Sequence, residues 1–172
     1  MKKENIVLIG MPSSGKTTIG EPLAKSLGMG FVDTDKIIMD IEKRPLRDIV
    51  NQDGLQKFLQ IQESVLMGLD VKNHVISTGG SVVYNESAME HLKKNSIVVY
   101  LKLEFDEIKK RLSSGRRLAR DSNKSFEDIY MERVPLYEKY ADVTINCSSK
   151  SVLSIVAEIK NVYESTIREY KC

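Results

Sequence analysis

The sequence predicts a three-layer α/β/α domain around a five-stranded parallel sheet, and three observations carry that prediction. Apolar runs of strand length, among them Ile6-Val7-Leu8-Ile9 and Ile97-Val98-Val99-Tyr100-Leu101, alternate along the chain with amphipathic segments of helix length. Those runs are unbroken, as in strands buried on both faces of a parallel sheet. The first leads through a glycine-rich turn into a helix and then a second short strand, a βαβ unit whose crossover is right-handed.

In order, the elements begin with a strand over Asn5–Ile9 and a helix from about Lys16 to Leu27, which Gly28 ends as a C-cap. A short strand follows over Met29–Asp33. Two short helices are expected over Asp35–Glu42 and Pro45–Val50, the second with proline in its first turn, where the missing N–H costs nothing. From Gly54 to about Asp70 the apolar residues Leu55, Phe58, Leu59, Val65, Leu66 and Leu69 recur at spacings of three and four, which predicts a helix packed along one side. Val75-Ile76-Ser77 is the third strand, Glu86–Leu92 a helix, and Ile97–Leu101 the central strand. Phe105–Leu112 is helical. The polar, arginine-rich stretch from about 113 to 124 breaks all periodicity, and a loop of about ten residues in so compact a domain predicts a mobile lid. Ser125 caps a helix running to about Tyr140, Val143-Thr144-Ile145 is the last strand, and Ser151 caps the final helix.

The chain of 172 residues is long enough to bury a core as a single domain over 1–172 without disulfides or a structural metal. Its 26 basic and 24 acidic residues leave a net charge of +2, too balanced for a protein that coats nucleic acid. No apolar run approaches the roughly 18 residues of a membrane span. Cys147 and Cys172 fit no metal-ligand spacing, which points to a reducing cytoplasm, and His74 and His91 are isolated and read as structural. The expected partner is therefore one small molecule, with no nucleic acid, membrane or obligatory protein partner.

The chemistry centres on Gly10-Met11-Pro12-Ser13-Ser14-Gly15-Lys16-Thr17, which fits G-x-x-x-x-G-K-[ST] between a strand and a helix. Glycines at 10 and 15 let successive N–H groups turn inward around an anion at a helix start. Ser13, Ser14 and Thr18 belong to the same cradle. Lys16 reaches the β- and γ-phosphates of a nucleotide, and Thr17 offers its hydroxyl to Mg²⁺. An ammonium facing an open crevice is expected to add little to folding. Asp33 and Asp35, just past the second strand, face that crevice; one carboxylate holds Mg²⁺ while the other orients, or takes a proton from, an attacking hydroxyl. Gly79 and Gly80 end the third strand on the same side and offer bare backbone to a small hydroxylated substrate. Arg116, Arg117 or Arg120 could close from the lid on the transferring phosphoryl group. Arg133 lies on the helix after the lid.

These residues together resemble the shikimate kinases, small members of the nucleoside monophosphate kinase-like P-loop group. The resemblance runs from Asn5 to about Asn146 and rests on the cradle, Phe31-Val32-Asp33-Thr34-Asp35, Gly54 and Phe58, Thr78-Gly79-Gly80, and Arg133-Val134-Pro135-Leu136-Tyr137. It implies ATP- and Mg²⁺-dependent phosphorylation of shikimate at its 3-hydroxyl, a step of aromatic amino acid biosynthesis. Asp35 would bind the substrate hydroxyls as the base, Gly79 and Gly80 would line the pocket, and Arg133 would grip the substrate carboxylate. Arg116 would contact nucleotide phosphates and Arg111 would lie by the adenine, leaving Thr17 and Asp33 to the metal.

The sequence departs from the family pattern on the substrate side. The family's Phe-Arg pair is Phe58-Leu59, its third glycine is Ser81, and the lid's Arg-Pro-Leu-Leu is Arg116-Arg117-Leu118-Ala119. Leu59 is expected to make the pocket apolar where a carboxylate sits. Two alternatives follow: a related kinase acting on another alcohol such as homoserine, or a nucleotide-binding regulator without catalysis.

Overall fold

The computed structural model describes residues 3–112 and 123–169. Five strands, β1 (Asn5–Ile9), β2 (Gly30–Asp33), β3 (His74–Ser77), β4 (Ser96–Lys102) and β5 (Val143–Asn146), form one parallel sheet in the order β2-β3-β1-β4-β5. The described helices are α1 (Lys16–Leu27), α2 (Thr34–Glu42), α3 (Leu46–Asp53), α4 (Leu55–Met67), α5 (Glu86–Lys93), α6 (Phe105–Leu112), α7 (Phe126–Tyr140) and α8 (Val152–Glu169). Every strand and helix expected from the sequence is present.

β1 is the middle strand because all of its residues are buried and both of its edges are paired. Leu8 is in register with Ser77 on one side and with Val99 on the other. The chain leaves β1 toward β3 and β2, then returns past it to β4. The connections at the carboxyl end of β1 therefore diverge, and the crevice that opens there holds the cradle.

Two cores hold the layers. The larger joins β1, β3 and β4 to α1, α5, α7 and α8 through residues such as Ile6, Leu8, Leu23, Met89, Val98, Tyr137 and Ile159. The smaller is a cluster of Ile38, Ile49 and Phe58, with Leu46, Leu55 and Leu59 packed against it, which binds α2, α3 and α4 into one wall of the crevice. Burying a side chain of this size stabilises the fold by about 1.5–3 kcal/mol, so three of them suffice to fix short helices that would not form alone.

Three local features refine the sequence reading. Asp33 caps α2, which starts at Thr34: its side chain accepts from the backbone N–H groups of Asp35 and Lys36. Pro45 stands one residue earlier than expected, at the N-cap of α3 with extended backbone. A 3-10 turn over Val82–Tyr84 follows the paired glycines, where the sequence has no helical period to announce it.

Candidate active site

The cradle is shaped by two left-handed residues, Ser13 (φ 64°) and Gly15 (φ 93°), which alternate with ordinary backbone so that N–H groups converge. Gly15 adopts this freely; at Ser13 the β-carbon costs about 1–2 kcal/mol. Lys16 is only 8% exposed. Its Nζ donates to the carbonyls of Gly10 at 2.7 Å and Met11 at 2.8 Å, and more weakly to Ser14 Oγ at 3.4 Å. The ammonium therefore staples the loop that it serves, which corrects the expectation that it adds little to folding. Thr18 is exposed on the rim of the crevice. From the end of α6, Arg111 Nη1 donates to the Ser13 carbonyl at 3.1 Å, bringing a guanidinium beside the cradle.

Asp33 and Asp35 diverge in role as well as in direction. Asp33 shares its carboxylate between the α2 cap and the Thr17 hydroxyl, which donates to Oδ2 at 2.9 Å. Asp35, in the first turn of α2, lines the crevice with Oδ1 buried and without a hydrogen-bond partner. Burial pushes its carboxyl up to about 6, against the lowering pull of Lys16 and with a further raising contribution from Asp33. A carboxyl of that affinity near neutral pH suits a general base.

The facing wall is the end of β3. A β-carbon at Gly79 would lie 2.7 Å from Asp35 Oδ1 and 2.8 Å from Gln62 Nε2, so only glycine fits between them. One at Gly80 would meet Pro12 Cδ at 2.6 Å. Gln62, fully buried on α4, accepts from Ser81 Oγ at 3.2 Å through Oε1, while its Nε2 has no partner. The Gly80 carbonyl accepts from the Tyr137 hydroxyl at 2.6 Å, and the Tyr137 ring stacks on Tyr100 with centroids 5.1 Å apart. Arg133, 2% exposed, completes the wall from α7.

Lys16, Thr17, Asp33, Asp35, Gly79, Gly80 and Arg133 thus line one crevice of about 450 Å³. Leu59 does not line it. That position is taken by Phe58, while Leu59 faces a neighbouring cavity of about 330 Å³ bounded by Tyr84, Glu132 and the other side of Arg133. The expectation of an apolar patch at Leu59 inside the main pocket is corrected accordingly. Arg116, Arg117 and Arg120 lie outside the described residues, as does the expected lid apart from Asn123 and Lys124.

Three residues were missed from the sequence. Tyr137 follows Arg133 by four positions and Gln62 follows Phe58 by four, so helical spacing could have placed both on the crevice-facing sides of α7 and α4. Tyr84 carried no such signal. The residues read as bystanders behave so: His74 Nδ1 and His91 Nε2 donate to the carbonyls of Lys72 and Leu69, and the buried Cys147 thiol is pushed up to about 11 by burial. Among the described residues no cluster of three His, Cys, Asp or Glu could hold a metal alone, and no helix is long and apolar enough to cross a membrane.

The family model for shikimate kinase matches residues 12–164. The chain is 33% identical over 165 residues to the shikimate kinase of Caldanaerobacter subterraneus subsp. tengcongensis, covering 93% of this chain and 96% of that one. It is 37% identical over 164 residues to the shikimate kinase of Clostridium botulinum strain Loch Maree, covering 91% and 95%. Among solved structures, shikimate kinase from Acinetobacter baumannii in complex with shikimate is similar with a TM-score of 0.87 at 30% identity, covering 95% of this chain and 94% of that one.

Proposed function

The chain belongs to the shikimate kinase family, and from that premise we propose that it transfers the γ-phosphoryl group of ATP to the 3-hydroxyl of shikimate as a cytoplasmic enzyme of aromatic amino acid biosynthesis. One observation of this chain carries the choice of acceptor. Arg133 is a buried cation that faces the same crevice as Asp35 and Lys16. Its guanidinium is a rigid planar fork of N–H donors on the crevice wall, and a planar carboxylate suits that fork.

In this reading the converging N–H groups of the cradle and the Lys16 ammonium hold the phosphates, and Arg111 flanks the nucleotide. Arg133 holds the acceptor's carboxylate. Gly79 and Gly80 let its ring approach the backbone, and Asp35 accepts the proton of the attacking hydroxyl. The Thr17 hydroxyl and Asp33 carboxylate are hard oxygen donors, few in number, which fits Mg²⁺ shared with phosphates. When bound, Mg²⁺ supplies charge neutralisation at the β- and γ-phosphate oxygens.

The test is ADP formation from ATP with shikimate, homoserine and other hydroxylated acids offered separately. Turnover with shikimate well above every other acceptor is expected. Faster turnover with homoserine would overturn the assignment, and no acceptor-dependent turnover at all would leave only a nucleotide-binding protein.

A further inference from the structure

Arg133 does not reach the crevice alone. Its Nε donates to the Tyr84 hydroxyl at 3.1 Å, and the guanidinium carbon lies 5.1 Å from the centroid of the Tyr84 ring. Tyr84 is presented by the 3-10 turn after the paired glycines, which is anchored by buried Val82 and Val83 and closed by hydrogen bonds from Val82 N to Gly79 O and from Tyr84 N to Ser81 O. The same turn thus supplies both the bare backbone of the acceptor wall and the partner of the arginine that faces it.

The hydroxyl is itself directed. It interacts with the Glu132 carboxylate, and burial is the main cause that holds the phenol above its ordinary pKa, so it keeps the proton it gives to Glu132 while accepting from Arg133. Glu132 in turn is bound by Lys124 at 2.5 Å. The order Arg133 to Tyr84 to Glu132 leaves the phenol one donor and one acceptor role, and both are filled. An arginine side chain has several torsions to fix, and a partner at Nε sets the rotation of the whole guanidinium plane. The guanidinium also interacts with the Tyr137 hydroxyl, and Gln56 and Glu132 line the adjoining cavity beside Leu55 and Leu59, but the bond at Nε is the one that Tyr84 makes.

We infer that Tyr84 is a positioning residue for Arg133, whose hydroxyl turns the guanidinium toward the acceptor's carboxylate and thereby sets how strongly this enzyme prefers an acid over its neutral analogue. The inference rests on the reading that the acceptor bears a carboxylate. It assigns Tyr84 no contact with the reacting atoms.

The experiment compares the parent and Tyr84→Phe, which keeps the ring against Arg133 and removes only the hydroxyl, using shikimate and its primary amide as acceptors. KM for shikimate is expected to rise about tenfold, the scale of a hydrogen bond to a charged group, with kcat and the KM for ATP within about twofold. The acid-to-amide ratio of kcat/KM is expected to fall by a similar factor. Equal losses on acid and amide, or an unchanged ratio in a folded variant, would overturn the inference. Where the acceptor panel shows a different acid as the parent's substrate, the same ratio is read with that acid and its amide, so the inference stands or falls separately from the choice of shikimate. A parent whose acceptor has no carboxylate would overturn both.

Discussion

The Thr17 hydroxyl donates to Asp33 Oδ2 at 2.9 Å, while the other oxygen of the same carboxylate accepts from the backbone N–H groups of Asp35 and Lys36. One side chain thus caps a helix and faces the proposed metal position. The two duties separate by mutation. Asp33→Asn keeps an oxygen for the cap and loses the charge, so its melting temperature should stay near the parent's while the Mg²⁺ concentration for half-maximal activity rises at least about tenfold. Asp33→Ala should show the same activity defect and lose a further 0.5–2 kcal/mol, roughly, of stability. A magnesium titration and a thermal melt of each variant check this.

Asp35 couples activity to acid–base behaviour. Asp35→Asn should lower kcat at least about a hundredfold with nucleotide affinity nearly retained, the scale of general-base loss. Stability should move the other way. The folded carboxyl titrates at about 6, above the 3.8 of an unperturbed aspartate, so the folded state prefers the proton. Its favourable contribution is complete below about 3.8 and is lost as pH rises through 6. In the ligand-free protein Asp35→Asn should therefore be stabilising by about 2–3 kcal/mol above pH 7 and by little near pH 3.5. Urea melts at both pH values decide it; equal effects at both would deny the burial of the charge.

Gly79→Ala should be harmful well beyond its size. The added methyl would fall within 3 Å of both Asp35 Oδ1 and Gln62 Nε2, and neither belongs to a freely moving surface side chain. Overpacking of this kind costs about 1–3 kcal/mol. Because one displaced neighbour is the proposed base, kcat should fall by more than about tenfold while the KM for ATP changes little, which steady-state kinetics on the purified variant would show.

Leu59→Arg introduces a second guanidinium into the cavity that shares Arg133 with the crevice. The cavity has about 330 Å³ of room for the longer side chain beside Arg133. If the acceptor's carboxylate sits at Arg133, its KM should fall by roughly ten- to a hundredfold, the worth of a charge-assisted bond. Stability should fall, since Leu59 packs against the Ile38–Ile49–Phe58 cluster. A rise in KM in a folded variant would place the carboxylate elsewhere.

The sequence disclosed the elements better than the relations between them. β1 and β4 were legible because both are unbroken apolar runs, and the cradle because its spacing is rigidly tied to its backbone geometry. The division of labour between Asp33 and Asp35 was only half legible: both carboxylates were visible, but which one caps α2 depends on a dihedral that no residue name reveals. Leu59 was misplaced because neighbouring positions on a helix point about 100° apart, so Phe58 faces the crevice and Leu59 the next cavity. Gln62 and Tyr84 act through partners far away in the chain, at Ser81 and Arg133; the spacing of four from Phe58 hinted at the first, and nothing periodic marked the second.

The strand order has a consequence during synthesis on the ribosome. β1 and the phosphate cradle emerge first, yet the first strand to pair with β1 is β3, and the Asn5 side chain that accepts from the His74 N–H does so across 69 residues of chain. At about 5–20 residues per second that partner arrives roughly 3–14 s later. For that interval the apolar Ile6–Ile9 segment has no sheet to enter and the loop after it has no fixed floor. Until β3 has left the exit tunnel, the cradle therefore lacks the neighbouring strand whose Ser77 stands in register with Leu8.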